Sequence, residues 1–207
     1  MNARLTATLA LAAVTAAAFL IIALSGAGYI ASLQLGFIPL RLGIDVSDAW
    51  LPVWLTPLSA TLVHAGFLHL LMNLILLAWC GREVERVLGP VALVLLYVAG
   101  AYAAAAGQYV LSPTAAYPMV GASGAISALL GAFALSFGRP KPIVQNFQLN
   151  RALNILWILV AWVILQWMTA YLMGMQGVMV ATGAHAGGFI AGVILQKPLL
   201  LWRYRRA

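Results

Sequence analysis

Six long apolar runs, parted by short polar connections, leave this chain few folds to choose from. They cover residues 9–30, 67–81, 90–111, 121–137, 152–173 and 182–201. A helix rises ~1.5 Å per residue and a bilayer's hydrocarbon core is ~30 Å thick, so a run of ~20 apolar residues can cross it. Backbone groups in hydrocarbon must bond within their own segment or a closed barrel, and runs this continuous read as helices. The expected fold is all-α: a polytopic membrane protein of six transmembrane helices. With no repeat and no linker in view, residues 1–207 are read as one membrane domain. Composition agrees, since 64% of the residues are hydrophobic and 7% charged, far from the balance of a soluble domain. The first run follows Arg4 and is too long for the apolar core of a signal peptide, so it is read as a retained span. The second and fourth are short for a full crossing, which suits helices that start inside a bundle and not in lipid.

Positive charge is distributed unevenly over the connections. Arg4, Arg82, Arg86, Arg139, Lys141, Arg151, Lys197, Arg203, Arg205 and Arg206 fall at the termini and in the even-numbered loops, while the odd-numbered loops hold only Arg41. Lysine and arginine favour the cytoplasmic side, so both termini are expected in the cytoplasm. A bacterial inner membrane fits this pattern. The basic residues do not cluster with exposed aromatics, and no nucleic-acid partner is expected. Trp50 and Trp54 place the long first loop partly in the headgroup layer.

Helical rise converts this orientation into depth. Ser123 stands ~24 Å above Arg139, and His185 ~27 Å above Arg203. His69 and Asn73 stand ~20 Å and ~14 Å above Arg82. Polar side chains at membrane depth are costly and point to function. Four of them therefore converge in the outer half of the bundle. The acids Asp45, Asp48, Glu83 and Glu85 all lie elsewhere, which leaves no third member for a Ser-His-Asp triad. What remains is a dyad: Ser123 as nucleophile and His185 as the base that takes its proton. Gly121 and Gly124 flank the serine and leave its hydroxyl and neighbouring N–H open at a helix start, where free N–H groups suit a developing oxyanion. His69 and Asn73, four residues apart on one helix face, are further candidate donors. His64 falls off that face and is read as structural, with a hydrogen bond to the first loop. Three histidines could form a zinc site, but their spacing is poor and no cysteine or carboxylate joins them, so neither metal nor cofactor is expected.

The ordered set His64, His69-x-x-x-Asn73, Gly81-x-x-x-Glu85, Gly121-x-Ser123-Gly124 and His185-x-x-Gly188-x-x-x-Gly192 resembles the rhomboid family of intramembrane serine proteases. The resemblance covers the second to sixth runs and implies a six-transmembrane-helix rhomboid-like bundle. It implies a serine endopeptidase that cuts transmembrane protein substrates within the lipid bilayer, near the non-cytoplasmic face. It also implies that Ser123 attacks, His185 is the base, and His69 and Asn73 help hold the oxyanion. Substrate would enter near the fifth helix, where Gly174 and Gly177 permit movement. Gly188 and Gly192 are small enough to let the sixth helix approach the fourth, whose Gly124, Ala128 and Gly131 are also small.

Two departures from the family pattern stand out. Trp54 is followed by Leu55 where an arginine is common, and Ser127 occupies a position often held by an aromatic beneath the histidine. His185 is then expected to be held differently and less rigidly. Ser127 itself reads as a packing residue. Trp157, Trp162 and Trp167 fall on different faces of the fifth helix and read as lipid or bundle contacts. Gly81 reads as a packing residue and Glu85 as a carboxylate beside Arg82 and Arg86. Two other functions compete with the protease: a catalytically inactive binder of transmembrane clients, and a small transporter. Retention of both Ser123 and His185 speaks against the first, and polar groups that stop partway down the bundle against the second.

Overall fold

The computed structural model describes residues 6–44, 49–137, 144–174 and 181–205. Arg4, Asp45, Asp48, Arg139, Lys141, Gly177 and Arg206, which enter the charge and entry readings above, lie outside the described residues. Regular structure among the described residues is helical, apart from one isolated bridge between Phe37 and Met119. Helix α1 runs Thr6–Leu24 and α2 Gly28–Leu35. Short turns over Val53–Leu62 lead to α3, Phe67–Leu88, and then to α4, Pro90–Leu111. Helices α5 (Ser123–Phe137), α6 (Phe147–Gly174) and α7 (Thr182–Arg203) follow. Five described helices are long and apolar enough to cross a membrane, and α5 is a shorter apolar helix. Their outward residues, Ile21, Val110, Trp157 and Ile194 among them, are more than half exposed, the mark of surfaces made for lipid. The chain is an integral, multi-pass membrane protein.

Two of the expected spans are corrected. The first run is not one helix to residue 30. It breaks after Leu24 at Gly26, whose φ of +67° is the left-handed turn that ends helices, and α2 starts afresh at Gly28. The second is not short. It continues through Arg82, Glu83, Glu85 and Arg86 to Leu88, passing a π turn at Leu77–Gly81. Arg82 and Arg86, assigned to a loop by the charge reading, lie on this helix, and Glu83, Glu85 and Arg86 each find partners. Glu83 pairs with Arg86, while Arg203 donates to the Arg86 carbonyl at 2.9 Å. Glu85 does not lie among arginines. Its carboxylate accepts from the Ala7 and Thr8 N–H groups at 3.0 and 2.9 Å and from the Thr8 hydroxyl at 2.6 Å. Those donors lie in the first described turn of α1, so the carboxylate ties α3 to that helix.

Helix α5 is short because protein, not lipid, surrounds it. Ala125, Ile126, Ala128, Leu129 and Ala132 are each at most 1% exposed. Close approach on its α7 side depends on missing side chains. A Cβ added at Gly188 would strike the Gly124 carbonyl oxygen, and one at Gly192 the Ala128 carbonyl oxygen. On the other flank of α7, Gly183 and Gly187 meet Gly107 and Ala103 of α4 in the same way. Backbone-to-backbone packing of this kind is how helices hold together where lipid supplies no hydrophobic drive.

Candidate active site

Ser123 opens α5, and the segment before it is tied down on two sides. Phe37 and Met119 exchange backbone bonds of 3.0 and 2.8 Å, and the Gly121 N–H donates to the Ala60 carbonyl at 2.9 Å. Gly121 has φ +110°, a conformation that side chains rarely adopt. A Cβ on it would lie 2.6 Å from Cε1 and 2.7 Å from Nε2 of His69. The His69 ring therefore rests directly on the turn that presents the serine, two residues before it.

The structure brings the serine and the last helix's histidine together. Ser123 Oγ and His185 Nε2 are 2.9 Å apart, and the two residues are only 9% and 5% exposed. His185 lies in the first turn of α7, and the contact of α7 with α5 through Gly188 sets the spacing of the two backbones. That distance is within the reach over which a base can take a hydroxyl proton. The start of α5 also supplies backbone N–H groups without helical acceptors.

The remaining candidates sit around this pair. Asn73 is buried in α3 and donates through Nδ2 to the His69 carbonyl at 2.8 Å, so one amide hydrogen is used within its own helix. His69 accepts at Nδ1 from the Ala65 N–H at 3.3 Å. His64 precedes α3, and its ring centroid lies 5.0 Å from that of His69. Burial, then the His69 ring, push the His64 imidazole down to about 4; neither of its ring nitrogens makes a hydrogen bond among the described residues, so the bond to the first loop expected from the sequence is not formed. Gly124 touches Ala104 of α4, where an added Cβ would come within 2.5 Å of the alanine methyl. Both described carboxylates are engaged elsewhere, Glu83 with Arg86 and Glu85 with α1.

Two residues read from the sequence as packing or bundle contacts, Ser127 and Trp162, are drawn into this neighbourhood by specific bonds. Ser127, fully buried one turn below Ser123, donates to the Ser123 carbonyl at 2.7 Å. The same hydroxyl accepts from Trp162 Nε1 of α6 at 2.8 Å. The Trp162 and His185 rings meet edge-on, with centroids 6.0 Å apart and planes 72° to each other. Trp162 is 4% exposed, whereas Trp157 and Trp167 of the same helix are 67% and 62% exposed. Trp162 is the buried bundle contact among the three, while Trp167 reaches α7 only at the surface, donating from Nε1 to the Thr182 hydroxyl at 3.1 Å. The departure at Ser127 signals only that another group must hold His185, not which tryptophan supplies it.

Comparison with known proteins places these features in a family. A family model described as the Rhomboid domain matches residues 52–202, most of the chain. Rhomboid protease GluP of Bacillus subtilis is 38% identical over 79 residues, 38% of this chain and 15% of that protein. Putative rhomboid protease YdcA of the same organism is 38% identical over 80 residues, 39% of this chain and 40% of the relative. RHOMBOID-like protein 5 of Arabidopsis thaliana is 29% identical over 168 residues, 81% of this chain and 49% of the relative. The chain thus spans less than half the length of each of these relatives.

Proposed function

Because the chain belongs to the rhomboid family, we propose that it is an intramembrane serine endopeptidase that cuts transmembrane proteins near the non-cytoplasmic face of the membrane. The observation that carries this reading is the 2.9 Å approach of Ser123 Oγ to His185 Nε2 inside a lipid-facing bundle. In the reaction the Ser123 proton passes to His185 Nε2 as Oγ bonds the carbonyl carbon of the substrate. The carbonyl oxygen takes up the negative charge beside the α5 N–H groups, with His69 and Asn73 as further donors. The C–N bond then breaks, and the amine leaves with the proton from the imidazole. Water, deprotonated by the same histidine, releases the acyl group and restores the serine.

Orientation follows from the positive charges. Both termini lie in the cytoplasm, in a bacterial inner membrane, and the dyad lies toward the opposite face. Substrate enters laterally beside α6. A substrate helix must unwind locally before its carbonyl can be attacked, which favours helix-destabilising residues near the cut. The small residues around Ser123 favour a small side chain before the scissile bond.

The test uses the purified full chain in detergent with a panel of single-span substrates and a fluorophosphonate probe. Labelling and cleavage are expected in the parent. Each should fall at least ~10³-fold in Ser123→Ala and in His185→Ala, given what loss of a nucleophile or its base costs. A His185→Ala variant that cleaves as fast as the parent would remove the dyad. A parent that binds substrate but is never labelled would assign the chain to inactive client binding.

A further inference from the structure

Four side chains from three helices close a ring: Ser123 to His185, His185 to Trp162, Trp162 to Ser127, and Ser127 back to the Ser123 carbonyl. We propose that Trp162 is a positioning residue for the catalytic step, an indole carried by α6 that fixes the plane of the His185 imidazole and is itself fixed by Ser127. The inference rests on the protease reading and deepens it.

Each link has a physical reason. An indole N–H buried to this degree needs an acceptor, and the Ser127 hydroxyl is the one it has. Ser127 can serve because its own proton is already given to the Ser123 carbonyl, which leaves its lone pairs for the indole. With the indole so anchored, its ring meets the imidazole in the edge-to-face arrangement that aromatic pairs prefer. Rotation of the imidazole away from Ser123 would have to break that contact. The orientation of the imidazole matters most when Nε2 takes the serine proton, so a contact that holds the ring plane should act on kcat and not on substrate binding.

The location of Trp162 adds a consequence. Helix α6 presents most of its length outward, with Leu156, Trp157, Ile164 and Trp167 more than half exposed. Trp162 is its deep contact with the catalytic pair. A displacement of α6 would draw the indole from Ser127 and from His185 together, so the imidazole is held when that helix is seated.

The experiment measures kcat and KM for a single-span substrate, and the rate of fluorophosphonate labelling, in purified full-length variants. Trp162→Ala should lower kcat and the labelling rate about 10-fold with KM within twofold, the fold-change set by the loss of one edge-to-face aromatic contact. Trp162→Phe keeps a ring and should recover most of that loss. Trp162→Phe and Ser127→Ala remove the same N–H···O bond, so the double variant should be no slower than the slower single one. Trp162→Ala combined with Ser127→Phe returns a ring from α5 and should regain activity over Trp162→Ala. Thermal unfolding of each variant guards against misfolding, and Trp162→Phe, nearly conserving volume, carries the test if Trp162→Ala does not fold. A folded Trp162→Ala with unchanged kcat, a change confined to KM, or strictly multiplicative losses in the Ser127–Trp162 pair would overturn the proposal. Failure of the protease reading looks different: the parent itself would go unlabelled.

Discussion

Gly121 shows how much of the site is settled by single atoms. Its φ of +110° and the His69 ring 2.6 Å from where a Cβ would sit both demand glycine. Gly121→Ala should strain the turn by about 1–3 kcal/mol and push either the ring or the serine aside. Displacements near 1 Å at a reacting group cost ~10²-fold in rate. Substrate cleavage by Gly121→Ala is expected to drop by that factor while the protein still unfolds cooperatively, and parent-like cleavage would show that the turn has slack. At this scale the sequence was informative where chemistry was out of place. A hydroxyl and an imidazole stand out among alanines and leucines, and helical rise alone placed them at one depth. Trp162 could not be read that way. On paper its apolar ring is indistinguishable from Trp157 and Trp167, and only the fold shows which of the three meets His185.

Helices record a different balance of legibility. Apolar runs mark where helices lie, yet their ends were set by contacts far apart in sequence. Helix α3 outlasted its apolar run by a further two turns because Glu85 found α1, 77 residues away at Thr8. No local pattern encodes that partner. Replacing Glu85 by alanine leaves the Ala7 and Thr8 N–H groups buried without their acceptor. A loss of about 3 kcal/mol is expected, in line with hydrogen bonds to a charged group. Thermal unfolding in detergent would register it, with Glu85→Gln intermediate because the amide keeps one oxygen. An unchanged midpoint in Glu85→Ala would mean that water takes over these bonds. The short α5 was legible for the opposite reason, since its small residues already announced a helix enclosed by others.

For the whole molecule the decisive pattern is the pairing of an apolar exterior with basic connections. If the termini face the cytoplasm, a cysteine placed at Arg205 should react with a membrane-impermeant maleimide only in inside-out vesicles. One placed at Trp54, 62% exposed in the first loop, should react only in right-side-out vesicles. The native thiol does not interfere, because Cys80 is fully buried. The opposite labelling would invert the molecule and turn the dyad toward the cytoplasm.

The Glu85 bond to α1 also bears on biosynthesis. Helix α3 emerges after α1 and carries a carboxylate whose three donors are all on that earlier segment. During insertion from the amino end the receptor for this charge is already in place when the charge arrives. The helices that carry Ser123 and His185 come later in the chain than both partners of this bond.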